Sequence, residues 1–490
     1  MNQASKHSVF GSGAGDPAGQ RRARREGTLA RPGRRSPLLA LCAVALATLL
    51  LGGCATVATH PAAAPAVATD PGFAQARELA RNAAALDPAA RQDNEARIDS
   101  LLAAMDNATL ARETAALPAG DPLYNYAGRA LLNRGLPLPR PFEGGDWQRL
   151  AANRPPADSD GYRPPLKLAV LLPLSGDLSR AAVPVRDGLL AGYYGETRRR
   201  PDIVFYDTTG TPAGAIASYR RAVTEGADYI VGPLGRDEVS ALFREHLTVP
   251  VLALNRGTVT PPPGSSSFSL APEDDGIAAA EYLLSHGARH VLVLADPSLQ
   301  RAVAAFREHL LGRGGAITQT LMVAEAPVDM TAALQAATTA SGGVDAVFLA
   351  LKPAQVRALA PQLASAGLAA KPRVATSQLA TADGAAKDHA LDGIAFPSEA
   401  WNVQRIDSLP SPARAAELLP SARGPAARLF AFGHDAWLLS AYLDRLATRA
   451  DGSVQGATGR LRLDGFGNVV RTPEWSTHSG TGIVALPSIR

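Results

Sequence analysis

The chain has 490 residues, 46% hydrophobic and 19% charged, with 49 basic and 45 acidic side chains and a formal net charge of +4. That length supports two or three domains with sizeable cores. The positive charge is concentrated at one end: residues 1–53 hold eight cations and two anions, so residues 54–490 are net −2 and give a nucleic-acid reading no basis.

The basic start runs into "LLALCAVALATLLLGG" (38–53), an apolar run of sixteen residues. It suits an export-signal core better than a stable membrane span. It ends in Leu51-Gly52-Gly53-Cys54, small residues before a cysteine, the pattern of a lipobox. Residues 1–53 are therefore expected to be a lipoprotein signal peptide, with Cys54 acylated as the first mature residue. Cys42 would leave with the signal, so the mature chain would hold one cysteine and no disulfide. Ala55 follows Cys54, where an Asp would favour the inner membrane, and this points to the outer membrane.

Residues 54–72 are small residues and prolines, read as a flexible tether. Residues 73–135 form a small helical module. Phe73, Ala76, Leu79, Ala80 and Ala83 recur at helical spacing, as do Ile98, Leu101, Leu102 and Met105. "DPLYNYAGRALLNRG" opens on Asp-Pro and closes on Gly135. Residues 136–165, rich in Pro and Gly, read as a linker, and within it Trp147 is a candidate partner anchor.

From Leu166 short apolar runs alternate with amphipathic stretches. The strand candidates are "LKLAVLLP", "DIVFYD", "DYIVGP", "VPVLALN", "HVLVLAD", "ITQTLMV", "VDAVFLAL", "PRVATS" and "DGIAFP". Nearly continuous apolar strands alternating with helices predict parallel sheets covered on both faces. The spacing allows two such sheets, giving an α/β fold of two doubly wound Rossmann-like lobes over 166–490. The crossover falls near 266–287, where Asp274 or Asp275 is expected to cap a helix. Late in the chain, Asp464-Gly465-Phe466-Gly467-Asn468 predicts a hairpin turn between two strands.

The ordered set "AVLLPLSG", "IVGPLGRDEV", "APEDDG" and "GATGRLRLDGFGNVVR" resembles the type I periplasmic-binding-protein fold. With the lipobox and the helical module before it, it resembles the LpoA/LppC family within that superfamily. The resemblance implies an outer-membrane lipoprotein, facing the periplasm, that binds and activates a class A penicillin-binding protein and so stimulates peptidoglycan crosslinking without catalysis of its own. The helical module is much shorter than that of the long family members, which puts its reach in question.

The rival reading is a lipid-anchored solute receptor of an ABC transporter for an amino acid or amide, since fold does not decide function. Ligands of such sheets sit beyond the carboxyl ends of the strands. The candidate cleft residues there are Ser175, Gly176, Gly232, Pro233, Leu234, Asn255, Arg256 and Asp296. The first three are also the residues tight turns and helix starts need. Gly235-Arg236-Asp237 stands where amino-acid receptors carry a Ser/Thr-rich run, and "ADPSLQRAVAAF" has no Tyr. The cleft ligand stays unknown. No cofactor is expected, and no metal: Gly287 interrupts the helix between His286 and His290. No nucleophile elbow, zincin motif or phosphate loop is present. Asp464 and Asn468 read as a turn rather than a calcium loop, and Trp401, Trp437 and Trp475 as packing.

Overall fold

The computed structural model describes residues 69–144, 154–326, 329–381, 389–480 and 482–487. The signal segment, Cys54, nearly all of the expected tether, and Trp147 lie outside them. Among the described residues no helix is long and apolar enough to cross a membrane.

The first layer is helical: α1 (Pro71–Asn82), α2 (Pro88–Ala104), α3 (Asn107–Ala116) and α4 (Tyr124–Asn133). Helix α1 starts within the segment read as tether, because the Asp70 carboxylate accepts from the amides of Gly72 (2.8 Å) and Phe73 (3.1 Å). Phe73, Ile98, Leu102, Leu110, Tyr124 and Leu131 form its core. Residues 136–144, read as linker, pack onto it. Leu136, Leu138 and Phe142 join that core, and the Arg140 side chain donates to the Leu117 carbonyl (2.9 Å).

The first lobe contains β1 (Lys167–Leu172), α5 (Ser179–Gly195), β2 (Asp202–Asp207), α6 (Pro212–Thr224), β3 (Tyr229–Val231), α7 (Arg236–Leu242), β4 (Val251–Ala253) and β5 (Ser266–Ser267). Its parallel sheet runs β2-β1-β3-β4-β5. The second lobe contains α8 (Pro272–Ser285), β6 (His290–Ala295), α9 (Gln300–Gly312), β7 (Ala316–Met322), α10 (Thr331–Thr339), β8 (Ala346–Ala350), α11 (Pro353–Ser365) and β9 (Arg373–Ala375). Its parallel sheet runs β7-β6-β8-β9. Both lobes are therefore doubly wound α/β units, as the alternation predicted.

The rest of the chain ties them together. It comprises β10 (Phe396–Ser398), α12 (Pro412–Leu418), α13 (Ala426–Thr448), β11 (Val454–Gln455), β12 (Arg460–Leu463), β13 (Val469–Thr472), β14 (Glu474–Ser479) and β15 (Gly482–Ala485). Helix α13 returns to the first lobe, where Phe432 and Trp437 pack with Val185, Leu189 and Phe268. The expected hairpin is β12–β13, with Leu463 opposite Val469. An antiparallel sheet β10-β14-β15 adds to the second lobe. The chain thus passes between the lobes three times, at 268–271, 399–425 and Pro473.

The crossover departs from expectation at one point. Helix α8 starts at Pro272 with Ala271 at its cap position, and Asp274 and Asp275 sit in its first turn rather than capping it. Proline is preorganised for that first position, so no side-chain cap is needed to start the helix.

Candidate functional site

In sheets of this order, the carboxyl ends of the central strands face the cleft. Pro173-Leu174-Ser175-Gly176 leaves β1 there, but Ser175 is exposed and engaged elsewhere. Its hydroxyl donates to Asp207 Oδ2 (2.6 Å), while the amides of Leu174 and Thr209 donate to Asp207 Oδ1 (2.9 and 2.8 Å). The Ser175 hydroxyl, first among these contacts, holds the Asp207 carboxyl below its ordinary value. Gly176 turns at φ +77°.

Gly232 has a stricter reason to be glycine. Its φ is +102°, and a Cβ would come 2.0 Å from the Leu171 carbonyl oxygen. It precedes Pro233 through a cis peptide bond. Leu234, Asn255 and Arg256 line a cavity of about 440 Å³ together with Arg236, Leu254 and Phe432. Asn255 is held by its own loop, its amide donating to the Leu234 carbonyl (3.0 Å) and its Oδ1 accepting from the Arg256 amide (2.9 Å). Asp296, from the second lobe, is buried and caps the turn at 297–299. It accepts from the Ser298 amide (2.8 Å) and from Gln355 Nε2 (2.7 Å). Burial works against its charge, but the Ser298 and Gln355 hydrogen bonds and nearby Lys352 outweigh it and lower the carboxyl.

Between the lobes lies a charge node that no motif marked. The first lobe and its returning elements supply Arg256, Arg428 and Arg471, and the second lobe supplies Asp274, Asp275 and Glu399. Arg256 Nη2 is 3.1 Å from Asp274 Oδ1, and Arg428 Nε is 3.0 Å from Glu399 Oε1. Asp275 Oδ1 lies 3.7 Å from both Arg428 Nη2 and Arg471 Nη2. The Ser377 amide donates to Asp275 Oδ2 (3.1 Å), and the Ser377 hydroxyl bonds both Asp275 and Arg428. Burial acts against the Arg428 charge, but Asp275, Glu399 and Asp274 more than offset it and raise the guanidinium. Burial raises the Asp274 carboxyl, opposed by Arg256 and Arg471. Three cations from one side thus meet three carboxylates from the other. Each of these groups already has a partner of opposite charge, which is what burial of charge requires.

A second arrangement escaped sequence reading. Ser408 Oγ is 2.6 Å from His434 Nε2, and His434 Nδ1 is 2.9 Å from Asp435 Oδ1. Those are the atoms of a hydrolase relay. His434 is 1% exposed and Asp435 0%, however. Asp435 also accepts from the amides of Ala457 (2.6 Å) and Thr458 (2.7 Å). The group ties α13 to the loops beside it.

The other candidates resolve into local structure. His286 lies against the Tyr282 ring at 4.1 Å, and His290 Nδ1 is 3.3 Å from Asp345. Among the described residues no group of three His, Cys, Asp or Glu is placed to hold a metal. Asp464 accepts from the amides of Phe466 (2.9 Å) and Asn468 (2.7 Å) and so builds the hairpin turn. Trp401 and Trp437 are buried, and Trp475 packs on Tyr282 at 4.1 Å.

Comparison with known proteins follows the same outline. The penicillin-binding protein activator LpoA of Photobacterium profundum is 27% identical over 355 residues, covering 64% of this chain and 56% of that protein. The chain thus spans about half the length of the curated relatives it matches. The C-domain of LpoA from Haemophilus influenzae, a regulator of PBP1A, superposes with a TM-score of 0.56 at 22% identity. That match covers 66% of this chain and all of that one, and it shows the shared fold. A putative branched-chain amino acid ABC transporter protein from Chromobacterium violaceum superposes with a TM-score of 0.51 at 28% identity, over 64% of this chain and 99% of that one. The family profile described as LppC putative lipoprotein matches residues 162–481, well over half of the sequence, and the chain therefore belongs to the LppC family.

Proposed function

We propose that this protein is a lipid-anchored, non-enzymatic activator of a class A penicillin-binding protein, held at the outer membrane through Cys54 and stimulating peptidoglycan crosslinking. One observation carries the reading beyond family membership. The charged groups where the lobes meet neutralise one another: Arg256 with Asp274, Arg428 with Glu399, and Arg471 with Asp275. A receptor for a zwitterionic solute keeps such groups available and exchanges them for the ligand's charges on closing. Here those groups are already paired, so a ligand would have to displace partners before gaining contacts of its own, and losing a partner from the buried Arg428–Glu399 or Arg471–Asp275 pair costs about 3–5 kcal/mol. The fold shared with the transporter protein supports the rival reading, but the node weighs against it.

The test is binding of the purified protein to the class A penicillin-binding proteins of its own organism, with transpeptidation followed alongside. Specific binding with faster crosslinking is the expected outcome. Absence of binding to all of them, well above envelope concentrations, would sink the proposal.

A further inference from the structure

The helical layer α1–α4 does not hang from the lobes; it touches both of them. On the first lobe its seat is the hairpin turn between β12 and β13. Asp464 holds that turn through the Phe466 and Asn468 amides, and Phe466 projects into the helical core. The Phe466 ring centre lies 4.7 Å from that of Tyr126, and the Arg129 guanidinium sits 4.4 Å above it. Asn125 Nδ2 donates to the Gly465 carbonyl (3.0 Å). A Cβ at Gly465 would come 2.6 Å from Asn125, so the approach is close enough to require glycine. The hairpin itself belongs to the first lobe: Leu461, Leu463 and Val469 lie in that core, and Ser267 Oγ is 2.8 Å from Asn468 Oδ1.

On the second lobe the seat is the end of α9. A Cβ at Gly312 would lie 3.3 Å from Ala103 of α2, and Arg313 Nη1 is 3.5 Å from Asn107 Oδ1. Around this contact a cavity of about 250 Å³ is walled by Ser100 and Arg134 on one side and by Ile277 and His309 on the other. One helical layer with its own packed core thus touches both bodies, whose relative rotation would open or close the cleft.

We propose that the helical layer is a strap that sets the angle between the lobes, with Phe466 and the Ala103–Gly312 contact as its two fastenings. Hinge motion needs a few segments that absorb the backbone change. The three crossings could supply them, but a strap fastened on both sides restrains the same rotation. The inference concerns the lobes alone and stands whether or not the chain activates a synthase.

The test measures an interlobe distance in the full chain. Cys42→Ser and Cys54→Ser remove the native thiols, and spin labels go on Ala217→Cys of α6 and Ala358→Cys of α11, both exposed alanines. Double electron–electron resonance should give one narrow distance. Phe466→Ala with Ala103→Arg undoes both fastenings, the new Arg facing Arg313, and should broaden and shift that distance. A distribution that stays narrow while trypsin gains access to Arg91 and Arg97 would overturn the strap. Should the double variant fail to fold, Phe466→Leu read by hydrogen exchange decides instead. Faster exchange in α4 and in the first turn of α8 together supports the strap, whereas a gain confined to α4 overturns it.

Discussion

Glu238 shows how one residue links a turn to pH. It is 1% exposed, and its Oε2 accepts from the Gly235 amide (2.6 Å) to start α7. Burial raises its carboxyl above the ordinary glutamate value, opposed by neighbouring Thr208 and the Gly235 hydrogen bond. The folded state therefore binds this proton more tightly than the unfolded chain. Its contribution is complete below about pH 4.5 and is lost as pH rises through the raised value. Glu238→Gln keeps an acceptor for the Gly235 amide without the charge, so the variant should gain stability over the parent at pH 8 and match it near pH 4, as read by urea unfolding at both. Arg428 is the opposite case, a cation that three carboxylates need. Arg428→Ala should cost about 3–5 kcal/mol in the same measurement, because Asp275 and Glu399 are left buried with less compensation. Ser175→Ala, by contrast, should leave any stimulation of crosslinking unchanged, since the hydroxyl serves Asp207 rather than the cleft.

At the scale of elements, the seam between α5 and α13 depends on two glycines that face each other's backbones. A Cβ at Gly188 would lie 1.8 Å from the Phe430 carbonyl oxygen, and one at Gly433 would lie 1.9 Å from that of Val185. Neither backbone can yield without parting the helices, so Gly188→Ala should destabilise by at least about 1–3 kcal/mol, the usual cost of overpacking a filled core. A lowered denaturation midpoint with an unchanged slope would identify the effect as stability alone. The same helix shows why part of the fold escaped the reading of apolar spacing. In α13, 15 of 23 residues are buried, so it lacks the one-sided apolar stripe that marks an amphipathic helix. Strand β14 escaped for the reverse reason: "EWSTHS" is largely polar and pairs by antiparallel register with β10 and β15, which composition does not report.

For the whole molecule, the node and the helical layer act on the same degree of freedom, the angle between the lobes. Free L-amino acids at millimolar concentration should therefore leave the interlobe distance unchanged. Closure on adding one would restore the receptor reading. The Arg428–Glu399 and Arg471–Asp275 pairs of the node are also buried, so they should respond little to salt that would screen exposed ion pairs such as Arg414–Glu417.

What the sequence determined by itself was local in origin. Apolar runs such as "KLAVLL" and "HVLVLA" define strands covered on both faces, their alternation with helices defines two parallel sheets, and Asp464-Gly465 marks a turn. Each signal comes from neighbours a few residues apart, whose side chains share a face through backbone geometry alone. The tertiary structure decided which faces meet. Arg256, Asp274, Asp275, Ser377, Glu399, Arg428 and Arg471 are spread over more than two hundred positions and obey no spacing rule. Tyr126 and Phe466 bring their rings into contact across an even longer stretch of chain. Partners brought together by the packing of separate bodies leave no period in the chain, because the chain between them can take any length that closes the loop.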